Sequence, residues 1–199
     1  MTPRAKELPS FVERARQEQI IDAAITVLSR EGYGAASLQR IADEAKISKG
    51  LISYHFDGRD DLMRRVLYAV FERQSRAVTG GLDFSMSPAE LLRAVVRRSA
   101  EVGLARSDER RAATEVVANL RGEGGLTFAE RDQAYVGFEH MYRMGQASGD
   151  FRQFDVRTMA VVHSAAIDGM FLYLDSHPEI DPHEFAAQVA DLLLAAVCA

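Results

Sequence analysis

The chain has 199 residues, 47% of them hydrophobic, with five prolines, no tryptophan and a net charge of −5. That apolar share is enough to bury a core and excludes a disordered chain, while the acidic balance excludes indiscriminate coating of nucleic acid. The one cysteine, Cys198, permits neither a disulfide framework nor a multi-cysteine metal site within one chain.

Abundant Ala, Leu, Arg and Glu, which lose little entropy in a helix, predict an all-α fold. The first nineteen residues lack the apolar core of a signal peptide. The longest apolar run, Leu192 to Ala199, is too short to span a bilayer. The expectation is therefore a soluble, cytoplasmic protein with no membrane partner. Charge is unevenly divided: residues 1–65 carry eleven Lys+Arg against ten Asp+Glu, and residues 66–199 carry thirteen against nineteen. This division lets a polyanion approach the N-terminal part while the remainder repels it.

Residues 1–12, with Pro3 and Pro9 among charges, read as a mobile arm. In "QEQIIDAAITVLSREGYG", Ile21, Ala24, Ile25 and Leu28 share one helical face, predicting a helix from about Arg16 to Glu31 with Gly32 as its stop. Ser37 stands at the N-cap position before "LQRIADEA", a second helix of about two turns whose apolar face is Leu38, Ile41, Ala42 and Ala45. Ser48 can cap a third helix after a turn of three or four residues in which Ile47 is the inward anchor. This is helix-turn-helix spacing. On the third helix Ile52 and Phe56 lie four apart and point inward, so Lys49, Gly50, Ser53 and Tyr54 project from the other side.

Asp57-Gly58 breaks the helix, and "RDDLMRRVLYAVFERQSRAV" restarts as a long fourth helix linking two domains, divided here as 13–58 and 59–199. Pro88 opens helical periodicity that runs to about Leu120; "RGEGG" at 121–125 interrupts it, and it resumes from Leu126 to about Ala147. Two last helices, about Val156–Asp175 and Pro182–Val197, are apolar around much of their circumference and must be covered on several sides.

The segment "IIDAAITVLSREGYGAASLQRIADEAKISKGLISYHFDGRDDLM" resembles the DNA-binding domain of the TetR family of bacterial transcriptional regulators. The resemblance spans about fifty residues: the first-helix stripe, "EGY", "IADEA", the capping serine, "YHF" and the basic residue before the fourth helix. It implies an N-terminal three-helix DNA-binding domain and a larger helical ligand-binding and dimerisation domain. It also implies a homodimer that reads a palindromic double-stranded operator, the last two helices pairing across a two-fold axis as a four-helix bundle. Ala166 and Leu193 are the positions taken to face the second copy. The chain departs from many family members in having Ser53 in place of an aromatic residue and Arg59 in place of lysine.

The exposed face suits DNA chemically. Gly50 lets the backbone approach the groove, Lys49 reaches guanine acceptors or a phosphate, and Tyr54 packs on a thymine methyl or donates to a phosphate. Ser53, one turn beyond Lys49, hydrogen-bonds either target, and by the resemblance Gln39 reaches bases. Ser37, Lys46, Ser48, His55 and Arg59 surround this face as backbone contacts, the two serines doubling as caps. Taken singly, Tyr54 is a surface aromatic and Lys49 a solvated charge; their joint placement after a capped turn points to DNA.

Glu115, Asn119, Phe138, Met141, Tyr142 and His163, polar or adaptable groups among apolar neighbours, are the candidate lining of a small-molecule effector pocket, with ordinary core packing as the competing reading of each. No HExxH, nucleophile elbow or intact P-loop occurs, and "GEGG" at 122–125 lacks the lysine and hydroxyl residue of a phosphate cradle. No catalytic residue, metal or cofactor is expected. The sequence thus describes a ligand-responsive, homodimeric DNA-binding regulator, a repressor released by its effector. The alternatives are a helical carrier or enzyme with a vestigial DNA-binding head, or a protein-interaction module.

Overall fold

The computed structural model describes residues 10–120 and 135–198, and among these every regular element is an α-helix. The helices are α1 (Phe11–Ala35), α2 (Leu38–Ala45), α3 (Lys49–His55), α4 (Arg59–Thr79), α5 (Pro88–Ala105) and α6 (Ser107–Asn119), then α7 (Val136–Ser148), α8 (Val156–Ser176) and α9 (Pro182–Val197). None among the described residues is long and apolar enough to cross a membrane. The "RGEGG" interruption and the first part of the helix expected from Leu126 lie outside the described residues.

Helix α1 starts earlier than its apolar stripe suggests. Ser10 and Glu13 form a capping box: the Glu13 amide donates to Ser10 Oγ at 3.3 Å, and the Ser10 amide donates to Glu13 Oε2 at 2.7 Å. Residues 10–12, assigned above to the arm, are therefore the cap and first turn. Gly32 sits at φ 78°, ψ 171°, conformations open to glycine, and kinks the chain where the stop was expected.

Packing divides the described residues into two compact units. One runs to Val70 and takes in the segment from Asp108; the other holds Phe71–Ser107 and the chain from Tyr135 onward. The core of the first unites Ala24, Leu28, Ile41, Ile52, Phe56, Leu62 and Val66 with Ala112, Ala113, Val116 and Leu120 of the α6 segment. Burying each large aliphatic side chain there stabilises the unit by about 1.5–3 kcal/mol. The boundary drawn from sequence at 58/59 thus differs from the packing, which gives α6 and the first half of α4 to the N-terminal unit.

The single run expected from Pro88 to Leu120 is two helices, separated at Arg106 (φ −116°, ψ 42°). Neither glycine nor proline marks this break; it separates an α5 face that packs into the second unit from an α6 face that packs into the first. In the second unit α5, α7, α8 and α9 enclose Leu92, Val96, Ala100, Met141, Tyr142, Met170 and Leu194. Ser87 with Glu90 caps α5, while Asp155 and Asp181 cap α8 and α9. Gly145 of α7 lies flat against the Phe151 ring, which would collide with any Cβ there.

Candidate nucleic-acid interface

The α2–α3 corner is built from local signals. Ser37 Oγ accepts from the Arg40 amide at 3.1 Å and Ser48 Oγ from the Leu51 amide at 3.3 Å, so each serine caps its helix. Between them the Ile47 amide donates to Ala42 O at 3.0 Å and the Lys46 amide to Asp43 O at 3.2 Å. That pair of bonds is a Schellman turn, which requires Lys46 in the left-handed region at φ 55°. Ile47 packs on the core and Ile52 and Phe56 are buried, so the turn and α3 are held on the core as one surface.

On that surface Ser37, Gln39, Lys46, Ser48, Lys49, Gly50, Ser53 and Tyr54 are exposed. Tyr54 is 73% exposed and meets the half-buried His55 ring edge-on, centroids 5.0 Å apart. Gln39 donates to Asp43 Oδ1 at 2.8 Å, and Ser53 Oγ donates weakly to Lys49 O at 3.4 Å. Both polar groups are thus held locally and remain open on their outer sides.

Gly50 has no internal reason to be glycine. Its φ is not positive, and among the described residues a Cβ would touch only Ser48 Oγ at 3.9 Å. Gly50→Ala is expected to raise the stability of this unit by about 1 kcal/mol, read by chemical denaturation, because alanine removes glycine's entropy penalty without a clash. A destabilised variant would mean the backbone at Gly50 is constrained from within.

Arg59, expected as a phosphate contact, is engaged within the unit. Its Nε donates to Ala36 O at 2.9 Å, its Nη2 donates to Tyr33 O, and its guanidinium stacks 4.1 Å over the Tyr33 ring. These contacts clamp the α1–α2 junction to the start of α4. Arg59→Lys keeps the charge but loses the fork and the stacking. It is expected to lower stability by about 1–2 kcal/mol in denaturant titration, nearly as much as Arg59→Ala. A fully stable lysine variant would return Arg59 to a simple phosphate contact. Alongside this clamp, Arg40 donates to both Glu31 and Glu44, an ion network that sequence reading passed over despite the i,i+4 spacing of Arg40 and Glu44.

The six residues expected around an effector are divided between the two units. Glu115 and Asn119 belong to the N-terminal unit: Glu115 Oε2 accepts from the Tyr33 amide at 2.8 Å, and Asn119 Nδ2 donates to Glu115 O at 2.9 Å. Glu115 thereby satisfies an amide exposed by the Gly32 kink, a contact across 82 positions that no local pattern announces.

Phe138, Met141, Tyr142 and His163 lie in the second unit. Tyr142 Oη and His163 Nδ1 are 2.8 Å apart and buried, and Phe138 stacks on the imidazole with centroids 4.1 Å apart. Burial pushes the His163 pKa down to about 4 and raises that of the Tyr142 phenol, so both are neutral near pH 7. Met141 is ordinary core. Beside them Glu139, absent from the sequence-based set, is a buried carboxylate bridged to Arg143 at 2.6 Å and to Arg157. Its i,i+4 spacing to Arg143 was the available signal. Among the described residues no group of His, Cys, Asp or Glu is arranged to hold a metal ion.

A capped helix pair with an exposed second helix, set in an all-helical chain, defines a helix-turn-helix protein. Residues 20–66 match the profile of bacterial regulatory proteins of the tetR family, and residues 85–197 match that of the tetracyclin repressor-like C-terminal domain. The chain belongs to the tetR family. It is 36% identical over 83 residues to the nicotine-responsive transcriptional repressor HdnoR of Paenarthrobacter nicotinovorans, covering 42% of this chain and 41% of that protein. It is 33% identical over 67 residues to the regulator BetI of Vibrio parahaemolyticus, covering 34% of each. The matched stretches thus span less than half of these relatives. Over the whole fold it is similar to the crystal structure of a transcriptional regulator from Pseudomonas aeruginosa PAO1, with TM-score 0.77, 25% identity, and 98% of this chain and 94% of that one covered. A tetR-family structure from Shewanella sp. PV-4 has TM-score 0.78 at 18% identity, covering 92% and 98%.

Proposed function

We propose that the protein is a repressor that binds a palindromic double-stranded operator as a homodimer in the cytoplasm and is released by a small-molecule effector. The observation that carries this reading is the outward face of α3, where Lys49, Gly50, Ser53 and Tyr54 are exposed beside two buried anchors. In this reading Lys49, Ser53, Tyr54 and Gln39 address bases. Lys46, Ser37, Ser48 and His55 set register on the phosphates, and Arg59 positions the head from within. HdnoR, named a nicotine-responsive repressor, supports ligand-responsive repression as the mode of action.

Homodimerisation is supported by apolar side chains that α8 and α9 leave in solvent. Leu172 is 74% exposed and Leu192 73%, with Val161, Val162 and Tyr173 also exposed. Two helices of one unit that expose large apolar groups after closing their own core suit a two-fold contact with an identical surface.

Sequencing the genomic fragments retained by the purified protein tests the reading. Enrichment of an inverted repeat, with affinity falling steeply as salt rises, is the expected result. Retention without sequence enrichment, or no retention at all, would refute operator recognition.

A further inference from the structure

The second unit contains a polar pair inside an aromatic cluster. His163 is fully buried; its Nδ1 is engaged by the Tyr142 hydroxyl at 2.8 Å, and among the described residues its Nε2 has no hydrogen-bond partner. Phe138 stacks on the imidazole, Phe154 meets the Tyr142 ring edge-on at 5.6 Å, and Phe151 lies tilted at 6.0 Å. A buried polar atom left unpaired is costly enough that native structures rarely keep one without a reason.

The two possible tautomers are not equivalent. If the Tyr142 hydroxyl donates to Nδ1, its proton is satisfied and Nε2 carries the single unmet N–H. If instead Nδ1 donates to the hydroxyl oxygen, the phenolic proton is stranded and Nε2 is an unmet acceptor as well. The first arrangement leaves fewer buried groups unmet, so Nε2 is a donor that requires an acceptor oxygen.

We propose that the Tyr142–His163 pair anchors a site for a small, neutral, largely aromatic molecule that presents one carbonyl-type oxygen to His163 Nε2, an assignment that rests on the effector-regulated reading above. Phe138 and Phe154 are half-buried, so the cluster meets the surface through them. A ligand ring reaches the imidazole by displacing Phe138 from its face and replacing that stacking contact. An anionic ligand is disfavoured because Arg143 and Arg157 already bridge to Glu139. A cation is disfavoured because it would meet a neutral imidazole, and the Glu139 carboxylate is already bridged.

The test uses the full chain and three probes of one shape: acetophenone, α-methylstyrene in which a methylene replaces the carbonyl oxygen, and benzoate. Affinities are measured by titration, and the His163 ring nitrogens are followed by long-range proton–nitrogen NMR correlation. Acetophenone is expected to shift the Nε2–H signal and benzoate to leave it unmoved. The ratio of acetophenone to α-methylstyrene affinity should fall about tenfold in His163→Phe, the loss of one hydrogen bond. Should that variant fail to fold, the wild-type Nε2 signal decides. An unchanged ratio, an unmoved Nε2 signal with acetophenone, or equal binding of benzoate would overturn the assignment. Operator binding is measured in parallel so that the two readings fail separately. Acetophenone seated on His163 without operator release would uphold this site and refute effector-driven release. A compound that releases operator while leaving the His163 signals unmoved would uphold the regulator and refute this site.

Discussion

Leu192→Arg is expected to leave the protein a folded monomer, abolishing the homodimer proposed above. Leu192 is 73% exposed, so an arginine there meets water in a single copy and leaves the core intact. Against a second copy the same charge is buried without a partner, a penalty of about 3–5 kcal/mol and hence roughly 10²–10⁴ in dimer affinity. Sedimentation analysis should show a folded monomer, and operator affinity should collapse with it because two half-sites can no longer be held together. Ala165→Arg on α8, also exposed, should behave alike. A fully dimeric Leu192→Arg protein would move the interface off these helices.

The helical phase matters here. Ala166 and Leu193, the positions taken from sequence to face a second copy, are turned toward their own core, Leu193 being only 5% exposed. Arginine at Leu193 would break the protomer itself and say nothing about assembly.

Tyr54→Ala and Lys49→Ala are expected to weaken operator binding while leaving dimer and fold unchanged. Both side chains lie outside the core that Ile52 and Phe56 complete, so truncation opens no cavity. Loss of Tyr54 from a base contact should cost about 1–3 kcal/mol and relax preference at one position of each half-site. For Lys49 the salt dependence separates two roles. A shallower slope with unchanged specificity identifies a phosphate contact, and relaxed specificity identifies a base contact. Unchanged affinity and specificity in the double variant would remove α3 from the DNA.

Much of the helix-turn-helix corner was legible in the residues themselves. Ser37 and Ser48 cap helices through bonds spanning three positions, and Ile41, Ile52 and Phe56 declare a buried side by periodicity alone. What faces outward on α3 follows from what must face inward. The Ser10–Glu13 capping box was equally local and was overshadowed by the prolines before it.

What only the tertiary structure decided involves residues far apart in the chain or helices apolar on more than one side. The break at Arg106 exists because α5 and α6 pack into different cores, and Glu115 belongs to the N-terminal unit because Tyr33, 82 positions away, has an amide to satisfy. Arg59 reads from sequence as a phosphate-binding charge, whereas its guanidinium donates to the Ala36 and Tyr33 carbonyls at the end of α1, which lie within its reach. Periodicity marks α8 and α9 as apolar but cannot phase them when nearly every face is apolar, and it cannot pair Tyr142 with His163 across two helices. Local bonding therefore determined the exposed helix α3, whereas long-range packing decided where the body keeps its polar groups and which apolar faces it leaves open.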